Sequence, residues 1–287
     1  MKNYTIRFIC LALLLFSHQW PLPALDQRVE TRVEVDWQRG VLILECSSGL
    51  DPQISNLSRA RFLAEQQIQL QLPAVFLDSL FPVTLDSLYS VGEYVKENTR
   101  AALSLGEAVR VNNKTYTHLS TDLREVVVRY EFPFFGESGI ILPLLTHTTS
   151  FPMERYLGYV PTRDFAGLVI YARGTYPSYG KEGEEKVKPA LFFRIFDEQL
   201  NLVLEREMCD PGRLKKWGMA AYSYSLDETP FLPRIGPNPL RTMARGVFGK
   251  NGTDIIIPNK TARQLLAEES NHRLLREGRI LIIIDQP

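Results

Sequence analysis

Catalysis requires groups that can accept a proton, attack as nucleophiles or hold a metal, and few residue types can do so. Past position 24 the chain carries three histidines, His118, His147 and His272. None stands in an HxxxH or HExxH arrangement, the spacing that lets side chains on one helix face share a metal. They read as surface or loop histidines. Cys46 and Cys209 are the thiols that could pair with a histidine, but neither lies in a nucleophile elbow or at a helix start. Asp197 and Glu198 are adjacent carboxylates at the tip of an expected hairpin, where neighbouring side chains diverge into solvent. Gly167 and the Arg173-Gly174 pair hint at a glycine loop, yet there is neither GxGxxG nor GxxxxGK[ST] to cradle phosphate. These residues give no catalytic, cofactor or metal site, and we expect no enzyme. The better contact candidates are Tyr171, Tyr176 and Tyr179, which flank a Lys/Glu-rich stretch, Thr175 to Lys188, expected to be an exposed loop. Aromatics with a polar tip are favoured at protein interfaces. Ordinary packing of the loop on its own sheet is the plainer reading of them.

The bulk properties narrow the class further. With 45% hydrophobic and 23% charged residues in 287, the chain is long and apolar enough for one large domain or two smaller ones. Lys+Arg and Asp+Glu are both 33, so no net charge drives binding to nucleic acid or anionic lipid. Lys2 and Arg7 begin a short basic region, Ile6 to Phe16 is apolar apart from Arg7, and Ser17 to Ala24 is more polar and ends in a small residue. The apolar run is about half of the roughly 20 residues that a spanning helix needs, which fits a cleaved signal peptide, residues 1–24. An uncleaved N-terminal anchor is the alternative. No later stretch is suited to spanning a bilayer. In an oxidising compartment Cys46 and Cys209 could pair, or remain buried thiols.

The elements follow from periodicity. Val29, Thr31, Val33, Val35 and Trp37 alternate with charged residues, and Val41 to Cys46 returns after Gln38-Arg39-Gly40, which predicts a hairpin with one buried face. Leu57, Ala60, Ala64, Ile68 and Leu72 mark a helix face, interrupted by Pro73 and Pro82. A second helix is expected over Asp86 to Gly106, with a capping box at Ser90 and Glu93 that places its start inside the span. Leu123 to Phe132 alternates again. Thr146 to Arg163 lacks any period and carries two prolines, so we expect a linker at 146–163 between an α+β domain at 25–145 and another at 164–287. A single domain with an irregular crossing loop is the alternative. In the second module, Phe165 to Ala172 reads as a strand buried on both faces, and Ala190–Phe196 with Leu202–Glu207 as a hairpin. Ile255–Ile257, a helix from Asn259 or Thr261, and Ile280–Ile284 would allow a right-handed parallel crossover, with the final strand inside its sheet. The fold class is thus α+β, two small modules, each a mixed sheet with packed helices.

ARFLAEQQIQLQL (60–72) and TDLREVVVRYEFPFFG (121–136) resemble the LPP-twenty lipoproteins and the N-terminal part of the flagellar T proteins. GLVIYARG, PALFFRIFDE, NPL and the closing DIII…LLREGRILIIID are similar to an extension in exported relatives of that family. The resemblance implies an envelope role, near the flagellar basal body in some members, and no catalytic residues. Those lipoproteins end their signal in a lipid-bearing cysteine, whereas this chain has PLPALDQ there, so lipid attachment is not carried over. Together these readings give an exported, non-enzymatic periplasmic protein of structural or interaction type. Its expected partners are other envelope proteins, flagellar basal-body components being the most specific version. No cofactor, no nucleic acid and no span after signal cleavage are expected. The alternative is a periplasmic binder of a small ligand or peptidoglycan in a cleft between the modules.

Overall fold

The structure, a computed structural model, describes residues 29–108 and 114–286. The signal region and the expected mature start at Leu25 lie outside the described residues. Strands β1 (Glu30–Asp36) and β2 (Val41–Gly49) form the expected hairpin, with Asp36 opposite Val41. Gly40 turns the chain at φ +66°, where a side chain would be strained. β1 is the edge of its sheet, so its apolar face is only partly covered and Val33 remains 45% exposed.

Helix α1 (Leu57–Leu80) runs straight through Pro73 instead of stopping there. Its buried residues fall every fourth position, Ala60, Ala64, Ile68, Leu72, Phe76 and Leu80. Pro73 and Gln69, whose carbonyl it leaves without an intrahelical partner, are both exposed residues. An interior proline costs about 3 kcal/mol. Burying Phe76 and Leu80, each worth roughly 1.5–3 kcal/mol, offsets it. The expected second helix is two helices, α2 (Val91–Glu97) and α3 (Thr99–Ala108), broken at Asn98. The capping box is real: Glu93 N donates to Ser90 Oγ at 3.2 Å and Ser90 N to Glu93 Oε2 at 2.7 Å. Strands β3 (Lys114–Leu119) and β4 (Glu125–Pro133) complete an antiparallel sheet in the order β1-β2-β4-β3. Val126, Val128, Tyr130 and Phe132 line its buried face, as the alternation required.

Residues 138–166 have little regular structure. They form a strap tied to the second module by hydrogen bonds from Phe151 N to Glu207 O, Tyr156 N to Leu266 O and Gln264 Nε2 to Pro161 O. The second module begins with β5 (Leu168–Tyr171) and continues with β6 (Tyr176–Tyr179), β7 (Glu184–Glu185), β8 (Ile195–Asp197) and β9 (Leu202–Leu204). Then come α4 (Pro211–Trp217), β10 (Ala221–Ser223), α5 (Leu232–Ile235), β11 (Leu240–Met243), β12 (Gly246–Phe248) and β13 (Asp254–Ile257). α6 (Asn259–Ala267), α7 (Glu269–Arg276) and β14 (Ile280–Ile283) close it.

The chain is therefore α+β in two small modules, but the second distributes its strands over two sheets. One is wholly parallel, β10-β14-β5-β11; the other is mixed, β7-β6-β12-β13-β8-β9. The segment Thr175 to Lys188 is not a free loop, because β6 pairs with β12 and with β7. β13 and β14 belong to different sheets, so the helical connection between them is not a crossover within one sheet. Glu268, in extended conformation, splits that connection into α6 and α7 and redirects the chain.

β14 lies between β10 and β5, in the interior as expected. Successive side chains of a strand point to opposite faces. Ile280 and Ile282 accordingly join the main core, while Leu281 and Ile283 pack with Val169 and Ile235 on the other face. A parallel sheet covered on both faces explains the unbroken apolar runs of β5 and β14.

The main core is continuous through both modules, taking in Phe76 and Phe132 on one side and Ile195 and Ile282 on the other. Backbone bonds tie the modules directly: Leu191 N to Thr84 O, Phe192 N to Leu85 O, Asn251 N to Ser87 O and Gly136 N to Lys215 O. Arg194 adds a bond to Ser87 Oγ at 2.9 Å while pairing with the fully buried Asp254.

Candidate functional site

The structure disperses the histidines, cysteines, carboxylates and glycines whose types could do chemistry. His118 is exposed on β3, beside Tyr116. His272 is not a surface residue but 3% exposed, with Nε2 at 3.0 Å from Leu266 O; it packs α7 under α6. His147 lies 3.2 Å from Cys209 O, a carbonyl, so it does not address the thiol. Cys209 Sγ instead faces the carbonyls of Glu205 and Leu275. Burial raises the Cys209 thiol far above its ordinary value, which keeps it protonated and unreactive. Cys46 is raised by burial too, and both thiols are free. Asp197 accepts the amides of Gln199 and Asn201 in its hairpin turn. Glu198 accepts Asn259 N at the start of α6 while its own amide donates to Asn259 Oδ1. Gly167 admits the backbone of Ile235, which a Cβ would approach to 2.4 Å. Gly174 N and Arg173 both bond Asp285. Among the described residues no cluster of His, Cys, Asp and Glu could hold a metal.

The three tyrosines do not form one exposed cluster. Tyr171 is on β5 of the parallel sheet, and its hydroxyl donates to Glu228 Oε1 at 2.6 Å. Arg241 grips the same carboxylate at 2.7 Å. Tyr176 is on β6 of the mixed sheet, donating to Arg173 O at 2.9 Å and lying 3.5 Å from Tyr171 O. Tyr179, also on β6, presses its ring against Gly246, where a Cβ would come within 2.7 Å. All three are partly buried.

A cleft of about 260 Å³ opens where the modules meet. From the first module come the β1–β2 turn, with Trp37, and the end of β4, with Phe134. From the second come the end of α4, β10 and α5, which supply Lys216, Trp217, Tyr222 and Arg234. Trp37 packs on Phe134 at 5.5 Å and edge-on to Tyr222 at 5.8 Å. Tyr222 is held rigidly: its hydroxyl donates to Ala190 O and accepts from Ala190 N. Trp217 Nε1 donates to Glu277 O at 2.8 Å, fixing the indole. Gly218, at φ +74°, ends α4 against the Phe135 ring, where a Cβ would come within 2.5 Å.

The electrostatics of this cleft are one-sided. Arg234 stacks over Trp217 at 5.1 Å, and Lys216 approaches the same ring at 5.6 Å. The Arg234 guanidinium donates to the carbonyls of Gly278, Trp217 and Gly218, at 2.7, 2.7 and 2.8 Å. Among the described residues no carboxylate pairs with it or with Lys216. Burial pushes Arg234 down to about 9. The three carbonyls favour the cation, so the group stays charged at neutral pH. Arg39, at the rim, is neutralised by Glu131 at 2.6 Å. The lining includes no carboxylate, imidazole, thiol or aliphatic hydroxyl.

In the sequence Trp37 is legible only as a strand residue, and Trp217 and Arg234 carry no motif. The available signal was the basic-aromatic run Lys215-Lys216-Trp217. Nothing in the sequence brings it to Trp37, because that meeting is made by module docking.

The fold and cleft describe a two-module α+β chain with an aromatic, cationic cleft at the module junction. Each module is similar to a domain of one bacterial protein: residues 28–137 match the family model of the N-terminal domain of Treponema pallidum Tp0624, and residues 167–286 that of its second domain. The two matches follow the same order as in that protein and leave 138–166, the strap, between them. No curated protein matches the chain. Among the described residues no helix is long and apolar enough to cross a membrane.

Proposed function

We propose that this chain is an exported, non-enzymatic interaction protein of the bacterial envelope, and that its contact site is the cleft between the modules. The lining of that cleft supports this reading. It offers rigid aromatic surfaces and cationic groups, which recognise; it holds no carboxylate, imidazole, thiol or aliphatic hydroxyl, and its phenol, Tyr222, is committed to Ala190. Its walls come from both modules and are locked by inter-module hydrogen bonds, so the site is pre-formed and its occupant meets little ordering cost. Export rests on the charged and apolar pattern of residues 2–24. The flagellar version rests on the LPP-twenty-like and flagellar T-like motifs, which build α1 and β4.

In-cell photo-cross-linking tests the proposal. A photoreactive residue replacing Gln38, an exposed residue of the cleft lining, should yield an envelope-protein or cell-wall adduct, and one replacing the exposed Leu70 of α1 should not. Adducts from Leu70 alone would move the contact site to the outer face of α1 and overturn the reading.

A further inference from the structure

We infer that the inter-module cleft takes a carboxylate carried on a single aromatic or apolar group, such as the C-terminal residue of a peptide or a free acid of that size. The inference rests on the proposed function and names its ligand chemistry. Size comes first. Sites for drug-sized ligands run to roughly 300–1,000 Å³, and this cleft, at about 260 Å³, suits one ring and its acid group. Shape comes next: Trp37, Phe134 and Trp217 provide flat apolar walls, and the Tyr222 hydroxyl is already satisfied by Ala190.

Charge decides the rest. A guanidinium has five N–H donors. Three of those on Arg234 are committed to carbonyls, which leaves two without a partner among the described residues. Its positive charge is enclosed without a carboxylate, and Lys216 adds a second unneutralised cation on the same indole. A buried cation is stabilised by an incoming anion, and hydrogen bonds to charged groups are the strong ones. A bare inorganic anion would satisfy the cations but leave the three aromatic walls uncovered. An uncharged aromatic would do the reverse.

The test uses purified, isotope-labelled protein, following the indole N–H signals of Trp37 and Trp217 by NMR. The probes are N-acetyl-phenylalanine, its carboxamide, inorganic phosphate, and a short peptide ending in phenylalanine with a free or an amidated terminus. The acid should shift both indoles, with the carboxamide about 10- to 100-fold weaker. Lys216→Glu, at an exposed position, should weaken acid binding while preserving the fold, and Lys215→Glu should not. Arg234 is left intact because it also braces two turns. Binding of the free-terminus peptide as well as the free acid would identify a chain terminus as the source; binding of the free acid alone would identify a small molecule. Equal binding of acid and carboxamide, or shifts with phosphate only, would overturn the inference. Silence from every probe would overturn it too, yet would leave the proposed function standing if cross-links from position 38 still form.

Discussion

Ile282 lies at the centre of β14, paired with Ile170 of β5 and Tyr222 of β10, and is fully buried. Ile282→Ala removes apolar volume from the continuous core where it passes through the parallel sheet. Such truncations cost about 2–5 kcal/mol, depending on how far neighbours relax. The flanking side chains are themselves locked in a sheet packed on both faces, so relaxation is limited and the upper half of that range is expected. Against a total of about 5–15 kcal/mol this is a large fraction. For a chain of this size it corresponds to a fall in Tm of roughly 7–20 °C. Thermal melting by circular dichroism measures it, with Leu70→Ala as the control. Leu70 is 78% exposed and its loss should change stability by no more than about 0.5 kcal/mol. Because the core spans both modules, amides of α1 and of β5 should lose exchange protection together. An Ile282→Ala protein that melts with the Leu70→Ala control would refute the interior placement of β14. Separate loss of the second module alone would refute the continuity of the core.

Other expectations follow from local features. Glu228 is held below its ordinary value chiefly by its hydrogen bond to Arg241, aided by Tyr171, so its contribution is present above the unfolded carboxylate range and lost as pH falls through the folded value. Glu228→Gln should flatten the acid side of a Tm-versus-pH curve; an unchanged acid slope would show that the pairing contributes nothing. Ser90→Ala removes the cap of α2 and should cost about 1 kcal/mol in denaturant unfolding. Limited chymotryptic digestion should cut first at Leu157 or Tyr159 of the strap, which are 89% and 93% exposed, and first cuts within β13 or β14 would contradict the packing. N-terminal mass spectrometry should find a mature chain starting near Leu25 without lipid, whereas a diacylglyceryl-modified N-terminus would contradict the cleaved signal peptide.

What was legible in the sequence was what local periodicity encodes. The β1–β2 turn, the Ser90–Glu93 capping box and the alternation of β4 needed only neighbouring residues. β5 and β14 were legible because a strand buried on both faces has no polar side to confuse it. Features set by distant partners were not. Pro73 reads as a helix stop until the buried stripe that continues to Leu80 is counted against it. Gly, Tyr and charge in 175–188 read as loop because β6 gains its order from β12, almost seventy positions away. The assignment of β13 and β14 to different sheets has no local signature either. For the same reason the tyrosines near that loop stand out in the sequence, while Trp37 and Trp217, brought to one cleft by docking, do not.

Hydrogen exchange on the purified protein, with and without detergent-solubilised envelope extract, tests the cleft as the contact site most directly. Protection should appear at 37–40, 133–135 and 216–222, the segments that line it, and should be lost in Lys216→Glu. Protection confined to the outer face of α1 or to the strap, with the cleft segments unchanged, would contradict the cleft as the place where this protein meets its partner.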